Sequence, residues 1–445
     1  MRFTPQSCDD RAAMLSVVGA ATIDDLFESI PAPVRLGRPL DIAEGLGELE
    51  VVRTLKAIAA RNTPATELVS FAGAGCYDHY IPSIVDHVLR RPEFFTAYTP
   101  YQPEVSQGTL QNIYEFQSMI CELTGMDVAN ASMYDGATAF VEAALMAARI
   151  TKRTKVVVAG SVHPEWRVVL DTYASSGAIS VVTCPVNEGV TGRNALSALV
   201  DAETAAVLVS NPNFLGHLED LGAIGEVAHA AGAMFVVSAN PALLGVLAPP
   251  SQFGADIVVG EGQVLGNAMS YGGPGLGFFS CRTEFLRNLP GRVVGRTVDV
   301  EGAAAFVLTM QTREQHIRRE RATSNICSNH ALNALAAAVY LSAVGSEGLA
   351  EVGRSSIAKA HYLRDALLVT GLFESVWEAP FAHEFALRYS GDVVTMQAAL
   401  LERGYLAGVD LGAIDPGLDG LILFAVTEKR TRAELDSFVG EVVSL

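Results

Sequence analysis

The sequence is poor in lysine, and this scarcity is the first constraint on what the protein can do. Its 445 residues include five lysines, none of them between residues 156 and 358. Acidic residues outnumber basic ones by 49 to 31, which gives a formal net charge of −18. Because nucleic-acid phosphates and anionic membranes are bound by clustered Lys and Arg, this balance predicts no nucleic-acid and no membrane partner. The five lysines are Lys56, Lys152, Lys155, Lys359 and Lys429.

Long hydrophobic runs and paired cysteines are also missing. No apolar stretch approaches the roughly 18 uninterrupted residues of a membrane span. The first residues, MRFTPQSCDDRAAML, lack the apolar segment of a secretory signal. The six cysteines are scattered, without a C-x-x-C pair or a histidine at metal-ligand spacing. The sequence therefore predicts reduced thiols, no metal site and a cytoplasmic location.

What the sequence does contain is a glycine-rich stretch from Gly254 to Phe279, GADIVVGEGQVLGNAMSYGGPGLGFF. It predicts a short buried strand from Asp256 to Val259, a loop that allows close backbone approach, and a second strand from Gly275. In one large class of α/β enzymes, such a strand-loop-strand carries the lysine that forms a Schiff base with pyridoxal phosphate. No lysine is present here, so this chain lacks that covalent anchor.

Strands and helices alternate between residues 129 and 259, which predicts an α/β fold with a mainly parallel sheet covered on both faces. Ligands of such sheets lie at the carboxyl ends of the strands. The chain length favours two or three domains. We expect a helical arm at 1–70, which covers another subunit or its own domain, a large α/β domain at 71–330 and a smaller one at 331–445.

Residues 71–105 are rich in glycine, proline and aromatic residues and have little predicted regular structure. Long irregular loops in compact domains are commonly functional or interfacial. The segment YTPYQPE is fixed by two prolines and presents Tyr98, Tyr101, Gln102 and Glu104. These side chains are candidates for a site or an interface. The alternative is a packed surface crossing whose tyrosines fill space.

The segment SMYDGATA, which begins at Ser132, predicts a strand end that turns into a helix amino terminus. Free N–H groups and the helix dipole favour anions at such a place. Gly136, Ala137 and Thr138 are the candidate residues of this anion cup. A plain helix start capped by Asp135 fits the pattern equally well.

Two more candidates follow predicted strands. His163 stands after the strand at 156–159 and is placed to stack on a planar ring, although ordinary loop histidines are more frequent. Asn240 ends the segment MFVVSAN, which has no acid where pyridoxal enzymes carry an aspartate for the pyridine nitrogen. The basic run at 313–321 alternates with glutamates, which suits an anion site, a subunit interface or a solvated face.

Six ordered segments together resemble the glycine cleavage system P-protein, the glycine decarboxylase, and in particular subunit 1 (α) of its two-subunit bacterial form. They span about Tyr98 to Asn329 at matching spacings, and the set is far more specific than any one member. The segments are AYTPYQPEVSQGTLQ, SMYDGATA, GSVHPEWR, VSANPALLG, GEGQVLGNAMSYGGPGLGFF and TREQHIRRERATSNICSN.

The resemblance implies the fold of the fold-type I pyridoxal-phosphate enzymes. In single-chain relatives two homologous halves are joined, and the present chain resembles the N-terminal half. The C-terminal half, a separate β chain in split systems, carries the cofactor lysine. Gln263 stands near that lysine position, Val237 or Ser238 stands near the pyridine aspartate, and His163 resembles the ring-stacking histidine. The implied vestigial cofactor pocket consists of Gly136, Ala137, Thr138, His163, Asn240 and Gln263.

The implied activity belongs to a complex with the β subunit (subunit 2), expected as an α2β2 heterotetramer. Pyridoxal phosphate on the β subunit would take electrons from glycine as CO2 leaves, and the aminomethyl group would pass to the lipoyl arm of the H-protein. The α chain, inactive alone, would complete the site across the interface with Tyr98, Tyr101, Gln102 and Glu104. The alternatives are a structural or regulatory pseudo-enzyme subunit without substrate contact, a self-sufficient pyridoxal enzyme, and an unrelated small-molecule-binding α/β protein.

Overall fold

The structure is a computed structural model that describes residues 5–445. The chain forms two compact units, the first ending at Thr63 and the second covering Pro64–Leu445. The first four residues of the predicted arm lie outside the described residues. The predicted domain limits at residues 70 and 330 remain predictions.

Among its described residues the first unit contains two α-helices, α1 (Cys8–Val18) and α2 (Glu48–Ala59). Helix α1 begins after Ser7, whose hydroxyl accepts the N–H of Asp10 at 3.1 Å. The Asp10 carboxylate in turn accepts the N–H of Ser7 at 2.8 Å. This reciprocal pairing satisfies donors that the first helical turn leaves free.

The second unit begins with a large α/β region. Its elements, in chain order, are β1 (Val69–Ser70), α3 (Ser83–Leu89), α4 (Pro92–Phe95), α5 (Gln107–Thr124), β2 (Val128–Ala129), α6 (Gly136–Thr151), β3 (Lys155–Ala159), α7 (Pro164–Ala174), β4 (Ser180–Cys184), β5 (Val186–Asn187), β6 (Val190–Thr191), α8 (Arg193–Leu199), β7 (Thr204–Asn211), α9 (Leu221–Ala230), β8 (Met234–Ala239), β9 (Ile257–Glu261), β10 (Gly277–Cys281), β11 (Val293–Val298), β12 (Ala304–Thr309) and α10 (Gln315–Arg318).

Seven of these strands form the central sheet in the order β2-β10-β9-β8-β7-β3-β4. Strands β4, β3, β7, β8 and β9, in their order across the sheet, are mutually parallel. Strand β10 runs antiparallel to both β9 and β2. Strands β7, β8 and β10 are buried along nearly their whole length, which explains their continuous apolar sequences. The predicted α/β fold with a mainly parallel sheet is therefore confirmed.

The strand end predicted at the start of SMYDGATA is wrong, because β2 contains only Val128 and Ala129 and the chain then turns towards α6. The antiparallel pair β11 and β12 was not predicted. Its strands are only partly buried, so they lack the strong apolar signal that marks the central strands.

Strands β13 (Phe373–Ser375), β14 (Glu384–Tyr389), β16 (Val409–Asp410) and β17 (Leu421–Ala425) form a second, antiparallel sheet in the order β13-β14-β17-β16. Strand β15 (Tyr405–Leu406) pairs in parallel with β1. The hydrophobic core of the second sheet is separate from that of the central sheet. The helices of this region are α11 (Ala331–Val369), α12 (Val393–Glu402) and α13 (Arg432–Val443).

Helix α11 connects the two regions and contains one non-helical residue, Gly345, with φ 63°. Glycine tolerates this left-handed conformation because it has no Cβ. Within residues 5–445, α11 is the one helix long and apolar enough to cross a membrane by length and composition alone. That is weak evidence, since the core helix of a soluble protein passes the same test, and the first part of α11 is buried in the central core.

Candidate functional site

A small cavity lies at the carboxyl ends of β7, β8 and β9, where a ligand of such a sheet is expected. Its free volume is about 80 Å³. His163 and Asn240, two predicted site residues, line it together with Gly75 and Glu261. The structure thus brings part of the predicted cofactor pocket together in one place.

The carboxylate of Glu261, the last residue of β9, lies at the amino terminus of α6. Its Oε2 accepts the N–H of Gly136 at 2.9 Å. Its Oε1 accepts the N–H groups of Gln263 at 2.9 Å and Leu276 at 2.7 Å. Burial raises the pKa of Glu261, and these three donors oppose that shift. Within the predicted cup, the first N–H group therefore already binds an anion that belongs to the chain itself.

Thr138, in the same first turn of α6, is also bonded within the chain. The Asp135 carboxylate accepts the N–H of Thr138 at 2.7 Å, and the Thr138 hydroxyl accepts the N–H of Asp135 at 3.3 Å. This is the capping arrangement that the sequence left open beside the anion cup. Ala137 is half-buried between the two capped positions.

The loop at residues 72–79 closes over the face of the cavity that holds His163. The His163 Nε2 atom donates to the carbonyl of Ala74 at 2.9 Å. Gly75 lies directly against the imidazole, since a Cβ added to it would come within 3.0 Å of the His163 Cδ2 atom. Burial lowers the pKa of His163, which favours the neutral ring. The ring predicted to stack on a cofactor is in contact with the chain's own backbone.

Gln263 anchors the same loop from the position where a cofactor lysine was expected. Its Oε1 accepts the N–H of Tyr77 at 3.1 Å, and its Nε2 donates to the Tyr77 carbonyl at 3.2 Å. The Nε2 also donates to the carbonyl of Asn267 at 2.8 Å. A buried amide can make all three bonds without carrying charge, which a lysine in this place could not do.

Glu384 of β14 holds the loop from the other sheet. Its Oε1 accepts the N–H of Ala74 at 2.7 Å, and its Oε2 accepts the Tyr77 hydroxyl at 2.8 Å. Among residues 5–445, no basic side chain forms an ion pair with Glu384, and burial raises its pKa from 4.5 to about 7. The loop is therefore fixed by hydrogen bonds from both regions of the second unit.

The residues of this chain do not fit pyridoxal phosphate. A volume of about 80 Å³ is well below the roughly 300 to 1,000 Å³ of ordinary ligand sites. A phosphate at the start of α6 would meet the Glu261 carboxylate, and like charges repel. Strand β8 presents Ser238 to the cavity rather than an acid, and the Asn240 Oδ1 accepts the N–H of Ala242 at 3.0 Å.

The other predicted site residues lie away from this cavity, on the loop that precedes α5; they are Tyr98, Tyr101, Gln102 and Glu104. Tyr98 is 77% exposed and lines a separate cleft of about 370 Å³. Gln102 and Glu104 are exposed. The Tyr101 hydroxyl accepts a hydrogen bond from Nη2 of Arg292 at 3.2 Å, with the guanidinium 5.6 Å from the ring centroid. Arg292 was missed in the sequence, because one arginine outside any charge run gives no local signal.

Solved structures with this architecture are pyridoxal-phosphate enzymes of fold type I. The chain matches a Lactobacillus brevis glutamate decarboxylase at a TM-score of 0.68 and 13% identity, over 93% of this chain and 95% of that one. A Burkholderia pseudomallei sphingosine-1-phosphate lyase gives 0.66 and 15%, over 93% and 94%. At these identities the likeness shows the fold alone, and the chain has the fold of this class.

The family follows from closer matches. The family model of the glycine cleavage system P-protein matches residues 1–442. A probable glycine dehydrogenase (decarboxylating) subunit 1 of Anoxybacillus flavithermus is 51% identical over 99% of this chain and 98% of its own length. The corresponding Carboxydothermus hydrogenoformans protein is 50% identical over the same shares. A crystal structure of an inhibitor-bound glycine decarboxylase (P-protein) has a TM-score of 0.91 and 45% identity, each chain fully covered. The chain belongs to the P-protein family.

Replacing Glu261 by alanine should open the amino terminus of α6 to external anions. Leaving three buried N–H groups without their acceptor should lower the free energy of unfolding by about 3 kcal/mol. Inorganic phosphate should then raise the melting temperature of Glu261→Ala by binding the vacated donors. Thermal unfolding with and without millimolar phosphate measures both effects. The exposed Glu165→Ala is the control, and an equal phosphate response in the native protein and Glu261→Ala would contradict the interpretation.

Glu384 should make stability fall as pH rises. Its folded-state pKa of about 7 exceeds the ordinary 4.5, so the folded protein holds the proton more tightly than the unfolded chain. The stabilisation is fully present below the ordinary pKa and is lost as pH rises to the folded-state pKa, a change of about 3 kcal/mol. Urea unfolding at about pH 5 and about pH 8 should show this loss in the native protein but not in Glu384→Gln. The control is Glu374→Gln, an exposed glutamate of β13, which should keep the native pH dependence.

Proposed function

We propose that this chain is the α subunit (subunit 1) of a two-chain glycine decarboxylase in the glycine cleavage system. With the β subunit (subunit 2), in an α2β2 assembly, it removes CO2 from glycine and transfers the aminomethyl group to the lipoyl arm of the H-protein. The observation that carries this proposal is identity of about half over nearly the full length of relatives named as subunit 1. The expected location is the cytoplasm, as the sequence predicts.

The cofactor of the assembly is assigned to the β subunit. The α cavity is small, its anion position is filled by Glu261, and Gln263 stands where a Schiff-base lysine was expected. Pyridoxal phosphate supplies an electron sink when bound, and this chain has no place for it. The contribution of the α subunit is therefore sought outside its own cavity.

That contribution is assigned to the loop with Tyr98, Tyr101, Gln102 and Glu104. Three of these four side chains make no side-chain hydrogen bond within the described residues, and all four are exposed. Two phenols, an amide and a carboxylate on a proline-stiffened loop can hydrogen-bond or orient a polar substrate across a subunit interface. We therefore place them at the edge of the β active site.

A second candidate is a structural or regulatory subunit that touches no substrate. The observation that favours it is the closed cavity, whose polar groups are used for internal packing. The two candidates differ in what the exposed loop does. Kinetics of loop variants in the assembled enzyme distinguish them.

The isolated chain should bind no pyridoxal phosphate and catalyse no exchange of CO2 with the carboxyl group of glycine. Co-expression with the β chain should give a complex that holds the cofactor and carries out the exchange. Mass, cofactor absorption and the exchange rate are measured on both preparations. Cofactor held covalently by the isolated chain would refute the assignment to β.

Tyr98→Phe and Glu104→Gln should lower kcat/KM of the assembled complex about ten-fold, the effect of roughly one lost hydrogen bond in the transition state. Assembly should be unaffected, because both side chains are exposed. Size-exclusion chromatography checks assembly, and glycine–CO2 exchange gives the kinetics. Tyr80→Phe and Glu402→Gln, exposed positions away from the loop, are the matched controls. Native turnover in both loop variants would instead support the substrate-free alternative.

A further inference from the structure

The cleft beside Tyr98 contains a buried arginine, Arg292, that forms no ion pair within 4.0 Å among the described residues. Arg292 is 6% exposed and lines the cleft, and its Nε has no hydrogen-bond partner among the described residues. No ion pair within residues 5–445 includes it. Burying an unpaired charge is costly. In a chain with 49 acids against 31 bases, the lack of a carboxylate in ion-pair contact with Arg292 among the described residues indicates a place for an external anion.

The charges around Arg292 add to this positive excess. Arg313, which is 9% exposed, donates from Nη2 to the carbonyl of Gly291 at 2.9 Å and leaves Nη1 unpartnered. The nearest acid is Glu314, whose Oε1 is 3.9 Å from the same Nη2 of Arg313. Burial raises the pKa of Glu314, and the two arginines oppose that shift. One carboxylate thus faces two guanidinium groups.

The amino terminus of α11 opens into the same cleft. Ala331, Leu332 and Asn333 line it, and no residue of the described chain accepts their backbone N–H groups. No side chain caps this helix, unlike α6, whose first turn is capped by Asp135 and Glu261. The cleft-lining residues of the described chain include no aspartate or glutamate. Guanidinium and helix N–H groups therefore converge without an internal anion.

We propose that this cleft binds a small oxyanion, a carboxylate or phosphate group, held by Arg292 and the first turn of α11. Tyr101 positions the guanidinium through its hydroxyl, and Asn112 lines the same cleft as a further donor. The inference rests on the proposed function in one respect. If the Tyr98 loop borders the β active site, the oxyanion belongs to the glycine carboxylate or to the cofactor phosphate.

The test uses the co-expressed complex with Arg292→Gln, Arg292→Lys and the control Arg296→Gln, an exposed arginine on β11, the strand that begins directly after Arg292. Acetate and inorganic phosphate are the probes, and their affinities are measured by thermal shift with and without pyridoxal phosphate. Arg292→Gln should weaken binding of at least one probe about ten-fold or more, equal to the loss of a charged hydrogen bond. Arg292→Lys should lie between the native and Gln forms, because charge remains but the planar fork is lost. Arg296→Gln should match the native complex.

Kinetics identify the source of the oxyanion. A raised KM for glycine with unchanged cofactor affinity in Arg292→Gln assigns the site to the substrate carboxylate. A raised dissociation constant for pyridoxal phosphate assigns it to the cofactor phosphate. Probe affinities, KM and cofactor affinity all within twofold of native in a folded Arg292→Gln complex would overturn the inference. Absence of glycine–CO2 exchange in the native complex would instead refute the proposed function, and the probe affinities would still decide this one.

Discussion

The contact between the Glu261 carboxylate and the amino terminus of α6 is the interaction on which the cavity of the second unit depends. It joins the end of β9, the start of β10 and the first turn of α6 through three N–H donors. The helix dipole and these donors favour a negative charge there, and a side chain supplies it without a ligand. Because Glu261 is covalently part of the chain, its effective concentration at the site exceeds that of any free phosphate. The first N–H group of α6 is thus bound by a carboxylate that belongs to the chain itself.

The cavity beside the Glu261 carboxylate is closed by a loop of the chain. A carboxylate of the chain itself lies at the start of α6, and the loop at 72–79 covers the cavity beside it. Gln263, His163 and Glu384 each bond to that loop's backbone or to Tyr77. The side chains that hold the loop at 72–79 are the amide of Gln263, the imidazole of His163, whose lowered pKa favours the neutral ring, and the carboxyl of Glu384, whose pKa is raised to about 7. Such groups bury with less electrostatic penalty than a lysine and a phosphate would.

The sequence predicted the elements well where hydrophobic patterns are strong and the contacts local. The alternation of strands and helices predicted between residues 129 and 259 is present from β2 to β9, because its central strands are continuously apolar and buried. The placing of Gln263 near the cofactor-lysine position came from the resemblance to the family and remains a prediction; in the structure Gln263 bonds to Tyr77, while its neighbours Glu261 and Val264 line the cavity. The roles of Glu261 and Glu384 were not predictable, because their partners are 125 and 310 residues away in the chain. A carboxylate in a sequence shows its charge but not which helix terminus it will reach.

The amino termini of α6 and α11 differ in how their free N–H groups are satisfied, and Arg292 lies beside the second of them. At α6 the chain supplies its own anion; at α11 it buries a cation, leaves the first N–H groups open and places no acid in the surrounding wall. An arginine buried for packing alone would be more stable with a carboxylate beside it, and Glu314 is held nearer to Arg313. The unpaired charge is therefore better explained by what binds to it than by the stability of the chain. We therefore propose that this subunit acts through the cleft beside Tyr98, where a cation is left open, rather than through the cavity beside Glu261.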